Sequence, residues 1–304
     1  MTTKIFVDGA FYNKDDAKIS VYDHGLLYGD GIYEGLRCYS GHVFQMTEHL
    51  NRLKRSANSL RIQLPYSLEQ IGEFILETLK INELQNAYIR LLVTRGVGNI
   101  GPDPSTCKSA SLIIIVEDLP NVHGKSVKEN GLSLVIASTR RDAVDATSHE
   151  IKSLNYLNSV VARMEANEFG ADDAILLDPR GFVSESTICN VFIIDKNTLV
   201  TPSQSNGILQ GITRQMIMDI ARELNMEVKQ SDITPFQLIN ADEVFLTGTH
   251  AEIVGVARIN NIELSGGKIG EITRNLIHKF QEKTLNPIYS TPVYKNINKD
   301  KVTN

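Results

Sequence analysis

Two β-branched runs, AYIRLLVTR at 87–95 and SASLIIIVED at 109–118, flank a Gly/Pro-rich stretch and more than any other feature dictate a sheet. KIFVDG and the hairpin-like GIYEGLRCYSGHVFQM, turning at Ser40-Gly41, add strands before them. Two amphipathic helices lie among these strands. TEHLNRLKRSANSLRI has Thr47 as N-cap with Leu50, Leu53, Ala57 and Leu60 on one face, and SLEQIGEFILETLK opens on a Ser67…Gln70 capping box.

The segment LPNVHGKSVKENG has the polar composition of a connection. It divides the 304 residues into a small α/β domain at 1–120, a link at 121–131, a larger domain at 132–286 and a polar, loosely held tail at 287–304. The larger part reads as strands at GLSLVIAS, AILLD, FVSES, CNVFIID, ADEVFLTGT and AEIVGVARI, with DPRG as a turn. GITRQMIMDIARELN and GEITRNLIHKFQEK read as helices. A third helix falls in SHEIKSLNYLNSVVARMEANEFG, where Leu154, Leu157, Val160, Val161 and Met164 form an apolar stripe and Gly170 ends it. Strands cluster rather than alternate strictly with helices, so the expected class is α+β with two domains.

A net charge of −5 and the absence of a basic stripe argue against nucleic acid as a partner. Three well-separated cysteines, Cys38, Cys107 and Cys189, form neither a disulfide framework nor a zinc site, and the seven histidines make no HExxH pair, so no metal is expected. No signal-like N-terminus or long apolar run points to a membrane, and the expected location is cytoplasmic. Gly96-Val97-Gly98-Asn99-Ile100-Gly101 fits GxGxxG, but Pro102-Asp103-Pro104 follows where a nicotinamide site needs a helix. A mobile loop covering a site is the better reading.

Lys152 enters the third helix between Ile151 and Ser153. A lysine before a helix is ordinarily solvated, yet one held among apolar neighbours loses pKa and becomes a nucleophile for a carbonyl. If that carbonyl is pyridoxal phosphate, a carboxylate must face the pyridine nitrogen and a cup must hold the phosphate. Glu185 in FVSES offers the first. Gly211-Ile212-Thr213 opens a helix whose free N–H groups suit a phosphate, and the Thr247-Gly248-Thr249 turn offers a further hydroxyl.

In order along the chain, YDHGLLYGDGIYEGLR, EHLNRLKRSA, YIRLLVTRGVGNIGPDP, IKSLNYLNSVVA, AILLDPRGFVSESTICNVF, ILQGITR and DEVFLTGTHAEI resemble class IV (fold type IV) pyridoxal-phosphate aminotransferases. Within that class the chain is most similar to prokaryotic branched-chain amino-acid aminotransferases. The resemblance implies a two-domain α+β fold with the cofactor between the domains. It also implies transamination of leucine, isoleucine and valine with 2-oxoglutarate, through a Schiff base on Lys152. Tyr156 would bond the ring hydroxyl, Glu185 the ring nitrogen, and Leu209 would lie against the ring. Arg52, Ile212, Thr213 and Thr249 would hold the phosphate. Tyr28, Tyr33, Gly35, Tyr88 and Arg90 would shape the side-chain pocket, and His250-Ala251 would hold the substrate carboxylate. A homodimer or higher homo-oligomer is implied, with Tyr28 and the 96–104 loop of a partner reaching the site. His250 stands where the family more often has Ala or Gly, and Glu185-Ser186-Thr187-Ile188 replaces an EGSG-like sequence. The relatives kept as alternatives are D-amino-acid or (R)-amine transaminases and aminodeoxychorismate lyases.

Overall fold

The computed structural model describes residues 2–118 and 130–294. The chain forms two compact units, one of residues 1–119 with 284–304 and one of residues 120–283. Apart from Asn130 and Gly131, the expected link at 121–131 lies outside the described residues.

The first unit is built on β1 (Lys4–Val7), β2 (Ala10–Asn13), β3 (Gly31–Tyr39), β4 (His42–Phe44), β5 (Ala87–Thr94), β6 (Ser111–Asp118) and a late strand, β16 (Ser290–Pro292). These form one sheet in the order β16-β4-β3-β5-β6-β1-β2, antiparallel at every pairing. The start of the expected loose tail therefore differs from expectation. β16 pairs with β4, and Val293 beyond it is buried, because the short edge of β4 offers unpaired backbone groups to any nearby strand. Helices α2 (Met46–Leu60) and α3 (Leu68–Ile81) cover one face of the sheet. The capping box of α3 forms in full, from Ser67 to Gln70. Thr47, by contrast, lies inside α2. Gln45 is the N-cap, in a left-handed conformation at φ 51°, and its N–H is tied to Tyr289 O at 2.7 Å.

Strand β3 shows why this layer positions side chains. Successive residues point to opposite faces, so Ile32, Glu34 and Leu36 share one face while Tyr33, Gly35 and Arg37 share the other. Contacts between α2 and β3, including those from Glu34, identify the first as the helix side.

The second unit carries a nine-stranded mixed sheet. Its strands are β7 (Leu132–Ile136), β8 (Asp173–Leu177), β9 (Val183–Ser186), β10 (Asn190–Asp195), β11 (Thr198–Thr201), β12 (Glu227–Gln230), β13 (Glu243–Gly248), β14 (Glu252–Ile259) and the short β15 (Ile262–Glu263). Leu134, Ile175, Val191, Leu246 and Val256 meet in its core. The helix after Lys152, α4, spans Leu157–Glu168 and ends in a left-handed Gly170, as its sequence indicates. Its packing face differs from the expected stripe. Leu157 is 76% and Met164 57% exposed, whereas Ala162 and Ala166 pack against Ala137, Ala174 and Leu176. Small residues let the helix axis approach the sheet, and the larger apolar side chains are left pointing outward.

Candidate active site

Lys152 is half-buried, five residues ahead of α4, and Tyr156 is that helix's N-cap residue. The positive charge of Lys152 reaches both Glu185 and Cys189, favouring their anions, so the lysine and the acid lie in one neighbourhood. Glu185 lies near the end of β9 with its side chain among buried strands. Its Oε1 accepts from Arg141 Nη2 at 3.2 Å, and its Oε2 accepts from Asn190 Nδ2 at 3.0 Å and Leu209 N at 3.1 Å. Burial pushes the Glu185 carboxyl above the ordinary carboxylate value, and Arg141, Leu209 N–H and Lys152 pull against it.

Arg141 was not legible as a site residue, and it organises the surroundings. Its Nη2 also donates to Ser186 O at 3.0 Å, while Nη1 donates to Asn158 Oδ1 at 3.1 Å and Ser159 Oγ at 3.2 Å. One guanidinium thus ties the acid's strand to the first turn of α4, the helix that follows Lys152. Glu165, farther along α4, grips the approach to Arg141. Its carboxylate accepts from the backbone N–H and hydroxyl groups of Ser138 and Thr139, which hold it down at about 2 against the opposing effect of burial.

Asn190 is a second unforeseen member. The same amide nitrogen that meets Glu185 donates to Leu209 O at 2.8 Å, so Leu209 is fixed through its backbone at both ends. Gly211 is required beside it, because a Cβ there would stand 2.0 Å from Asn190 Oδ1. Gly211 is the N-cap of α5 (Ile212–Glu223) and supplies no side-chain cap. The first N–H groups of this helix, beginning at Ile212 and the buried Thr213, are the natural donors for an anion. Thr249, His250 and Ala251 form the half-buried turn between β13 and β14, which pair as Gly248 with Glu252. Thr247 is in the strand rather than the turn, and its buried Oγ1 has no hydrogen-bond partner.

These groups fit pyridoxal phosphate. A primary amine, a buried carboxylate whose raised pKa calls for a further cation, and an uncapped helix N-terminus match its carbonyl, ring nitrogen and phosphate.

In the first unit, Gly35 pairs with Arg90 across β3 and β5, which places Tyr33, Gly35, Tyr88 and Arg90 on one face. The Arg90 guanidinium lies over the Tyr33 ring at 4.0 Å, and its Nη1 donates to the Tyr88 hydroxyl at 3.4 Å. A Cβ on residue 35 would fall 2.4 Å from that hydroxyl, so glycine is what admits Tyr88. Tyr28, at the end of α1 (His24–Tyr28), accepts from Gly101 N at 2.5 Å. His24 bonds Asn99 O at 2.9 Å and Thr106 Oγ1 accepts from Asn99 N at 3.2 Å, so the 96–104 loop, expected to be mobile, is fastened within its own unit. No helix follows Gly101 beyond a single 3-10 turn at Pro104–Thr106. Arg52 is paired with Glu34 on the opposite face of β3, a partner that sequence reasoning did not supply. Its one signal was His49 and Arg52, three residues apart on the apolar face of α2. Among the described residues no group of His, Cys, Asp and Glu could hold a metal ion.

The family model for amino-transferase class IV matches residues 31–259. The chain belongs to this family, whose enzymes depend on pyridoxal phosphate, and has its two-domain α+β fold. Among its relatives is a putative branched-chain-amino-acid aminotransferase of Methanocaldococcus jannaschii, 46% identical over 92% of this chain and 96% of that one. The solved branched-chain amino acid aminotransferase of Escherichia coli superposes with a TM-score of 0.93 at 31% identity, over 97% of this chain and 100% of that one. The T.th. branched-chain amino acid aminotransferase complexed with N-(5'-phosphopyridoxyl)-L-glutamate superposes at 0.91 with 32% identity, over 97% and 99%.

Proposed function

We propose that this aminotransferase exchanges amino groups between L-leucine, L-isoleucine or L-valine and 2-oxoglutarate, giving branched-chain 2-oxo acids and L-glutamate. The observation that carries the substrate reading is the Arg90–Tyr33 stack beside Tyr88. An aromatic wall accepts an aliphatic side chain, and a guanidinium lying on that wall pairs with the distal carboxylate of glutamate without filling the pocket. The T.th. enzyme, similar to this chain, is complexed with N-(5'-phosphopyridoxyl)-L-glutamate, which supports glutamate as one of the exchanged amino acids.

When bound, pyridoxal phosphate supplies the electron sink that acidifies the Cα–H of an attached amino acid. Lys152 would be the residue that holds its carbonyl, and the Lys152 Nζ would be the base that accepts the Cα proton. Glu185, with Arg141 as its counter-charge, would face the ring nitrogen and favour its protonated form. Tyr156 would bond the ring hydroxyl and Leu209 would lie against the ring. Ile212 and Thr213, with Thr249 and Arg52, would bind the phosphate, and the His250-Ala251 backbone would bind the substrate carboxylate. Tyr28 and Gly35 complete the side-chain pocket. The two half-reactions share one site, so kinetics are ping-pong.

The same reading includes a homodimer or larger homo-oligomer in the cytoplasm. Leu157, Val160 and Met164 on α4, and Val21, Leu26 and Ile100 in the other unit, are exposed apolar side chains of the kind subunit contacts cover. Among the described residues no helix is long and apolar enough to cross a membrane, and three unpaired cysteines suit a reducing compartment.

A substrate panel on purified protein, with Lys152→Ala as control, tests the proposal. Exchange with leucine, isoleucine or valine that vanishes in the variant is the expected result. Turnover confined to D-alanine, an (R)-amine or aminodeoxychorismate rejects the substrate reading, and wild-type rates in Lys152→Ala reject the mechanism.

A further inference from the structure

On the helix side of β3 the Glu34 carboxylate is fully shut off from solvent and grips two side chains of α2 at once. Oε1 accepts from Arg52 Nε at 2.7 Å, and Oε2 accepts from Arg52 Nη2 and His49 Nδ1, each at 2.7 Å. Burial raises this carboxyl, but the Arg52 charge and the bonds from Arg52 and His49 outweigh it and hold the group at about 2. Glu34 therefore carries its charge at neutral pH.

A buried ion pair is weak evidence for stability, since apolar residues of like volume often do as well. What the pair does supply is direction. A planar guanidinium held by two parallel bonds along its Nε–Nη2 edge has the direction of its Nη1 corner fixed as well. The third bond, from His49, occupies Oε2 from another side and keeps the carboxylate from turning.

We propose that Glu34 is a positioning residue for Arg52: it orients the guanidinium for the cofactor phosphate, with His49 bracing the carboxylate. The inference rests on the phosphate role given to Arg52 above. It also gives the two faces of β3 different tasks, with Tyr33 and Gly35 on one and Glu34, which holds Arg52, on the other.

The test compares pyridoxal phosphate with pyridoxal, which has the same ring and carbonyl but no phosphate, binding to the full-length cofactor-free protein. Glu34→Gln sets an amide N–H against either Arg52 Nε or the Nη2 and His49 donors, so the orientation is lost. The expected result is pyridoxal phosphate affinity weakened roughly 10- to 100-fold, with pyridoxal affinity unchanged. Glu34→Asp keeps the charge, withdraws it by one methylene, and gives a smaller loss, again confined to the phosphate compound. It serves as the readout if Glu34→Gln does not fold. Equal weakening of both compounds overturns the proposal, because a merely structural acid affects both, and no weakening of either overturns it too. Arg52→Gln separates the two levels. Selective loss there, without selective loss in the Glu34 variants, overturns the positioning role and leaves Arg52 as a phosphate ligand. No selective loss in Arg52→Gln removes both.

Discussion

Glu34 and Glu185 are both carboxylates buried in strands and faced by an arginine, yet their environments push them in opposite directions. Glu34 receives three charge-assisted bonds at 2.7 Å and sits at about 2. Glu185 has a single arginine contact at 3.2 Å, with an amide and a backbone N–H as its other donors, and is raised. The difference is one of completeness. Glu34 has all the positive charge it needs within its own unit, whereas Glu185 is an under-compensated anion that a protonated pyridine nitrogen would complete. A fully paired acid holds its own cation in place. An incompletely paired one is prepared for a ligand.

The largest test of this contrast is Glu185→Gln. Transamination should fall on the order of 100- to 1,000-fold, since an anion aimed at developing or fixed positive charge is worth that much, while the melting temperature of the cofactor-free protein holds or rises. Activity assays beside calorimetry decide it. A variant that unfolds but retains specific activity would make Glu185 a framework acid instead.

Acid titration addresses the other member of the pair. The folded pKa of Glu34 lies below its ordinary value of 4.5, so its contribution is present above about 4.5 and is lost as pH falls toward about 2. That contribution is about 3 kcal/mol at neutral pH. Urea midpoints of the wild type should fall steeply through this window and those of Glu34→Gln much less. Parallel curves would show that the pairing gives no net stability. Glu185 carries the reverse sign: its raised pKa makes the folded cofactor-free chain favour protonation, so its contribution to stability diminishes as pH rises through its folded value.

Arg141→Met removes the main counter-charge of Glu185 while keeping much of the side-chain bulk. The acid should rise further, so the acidic limb of cofactor binding moves to higher pH. Affinity near neutrality should drop roughly 10- to 100-fold, the usual cost of losing an outer partner of a ligating group. An unshifted limb, followed by absorbance titration, would mean that Asn190 and Leu209 N–H suffice to fix the charge.

The sequence exposed local chemistry far better than pairing across the chain. The Ser67…Gln70 box and the helix opening at Gly211-Ile212 were legible because each depends on neighbours within a few residues. Glu34 meets Arg52 across 18 residues and Arg141 meets Glu185 across 44, and the packing of a helix or a loop onto a distant strand, which no local pattern prints, decides both. The face of α4 was misread for a different reason. Periodicity reports where large apolar residues lie, but here alanines approach the sheet, and the large residues are left for another surface.

Gly211→Ala probes how Glu185 is held without touching any charge. The new Cβ would lie 2.0 Å from Asn190 Oδ1 and 3.1 Å from Arg214 Cβ, so the Asn190 amide must swing away from both Glu185 and Leu209 O. The atom displaced most is the end of a side chain, which puts the cost near the low end for overpacking, about 1 kcal/mol in thermal or urea unfolding. Cofactor affinity should weaken by a larger factor than stability alone accounts for, because Leu209 and the first turn of α5 move with the amide. Equal small losses in both would reduce Asn190 to a packing residue and leave Arg141 as the sole organiser of Glu185. A selective loss of cofactor would show that even the neutral donors around this acid serve the ligand.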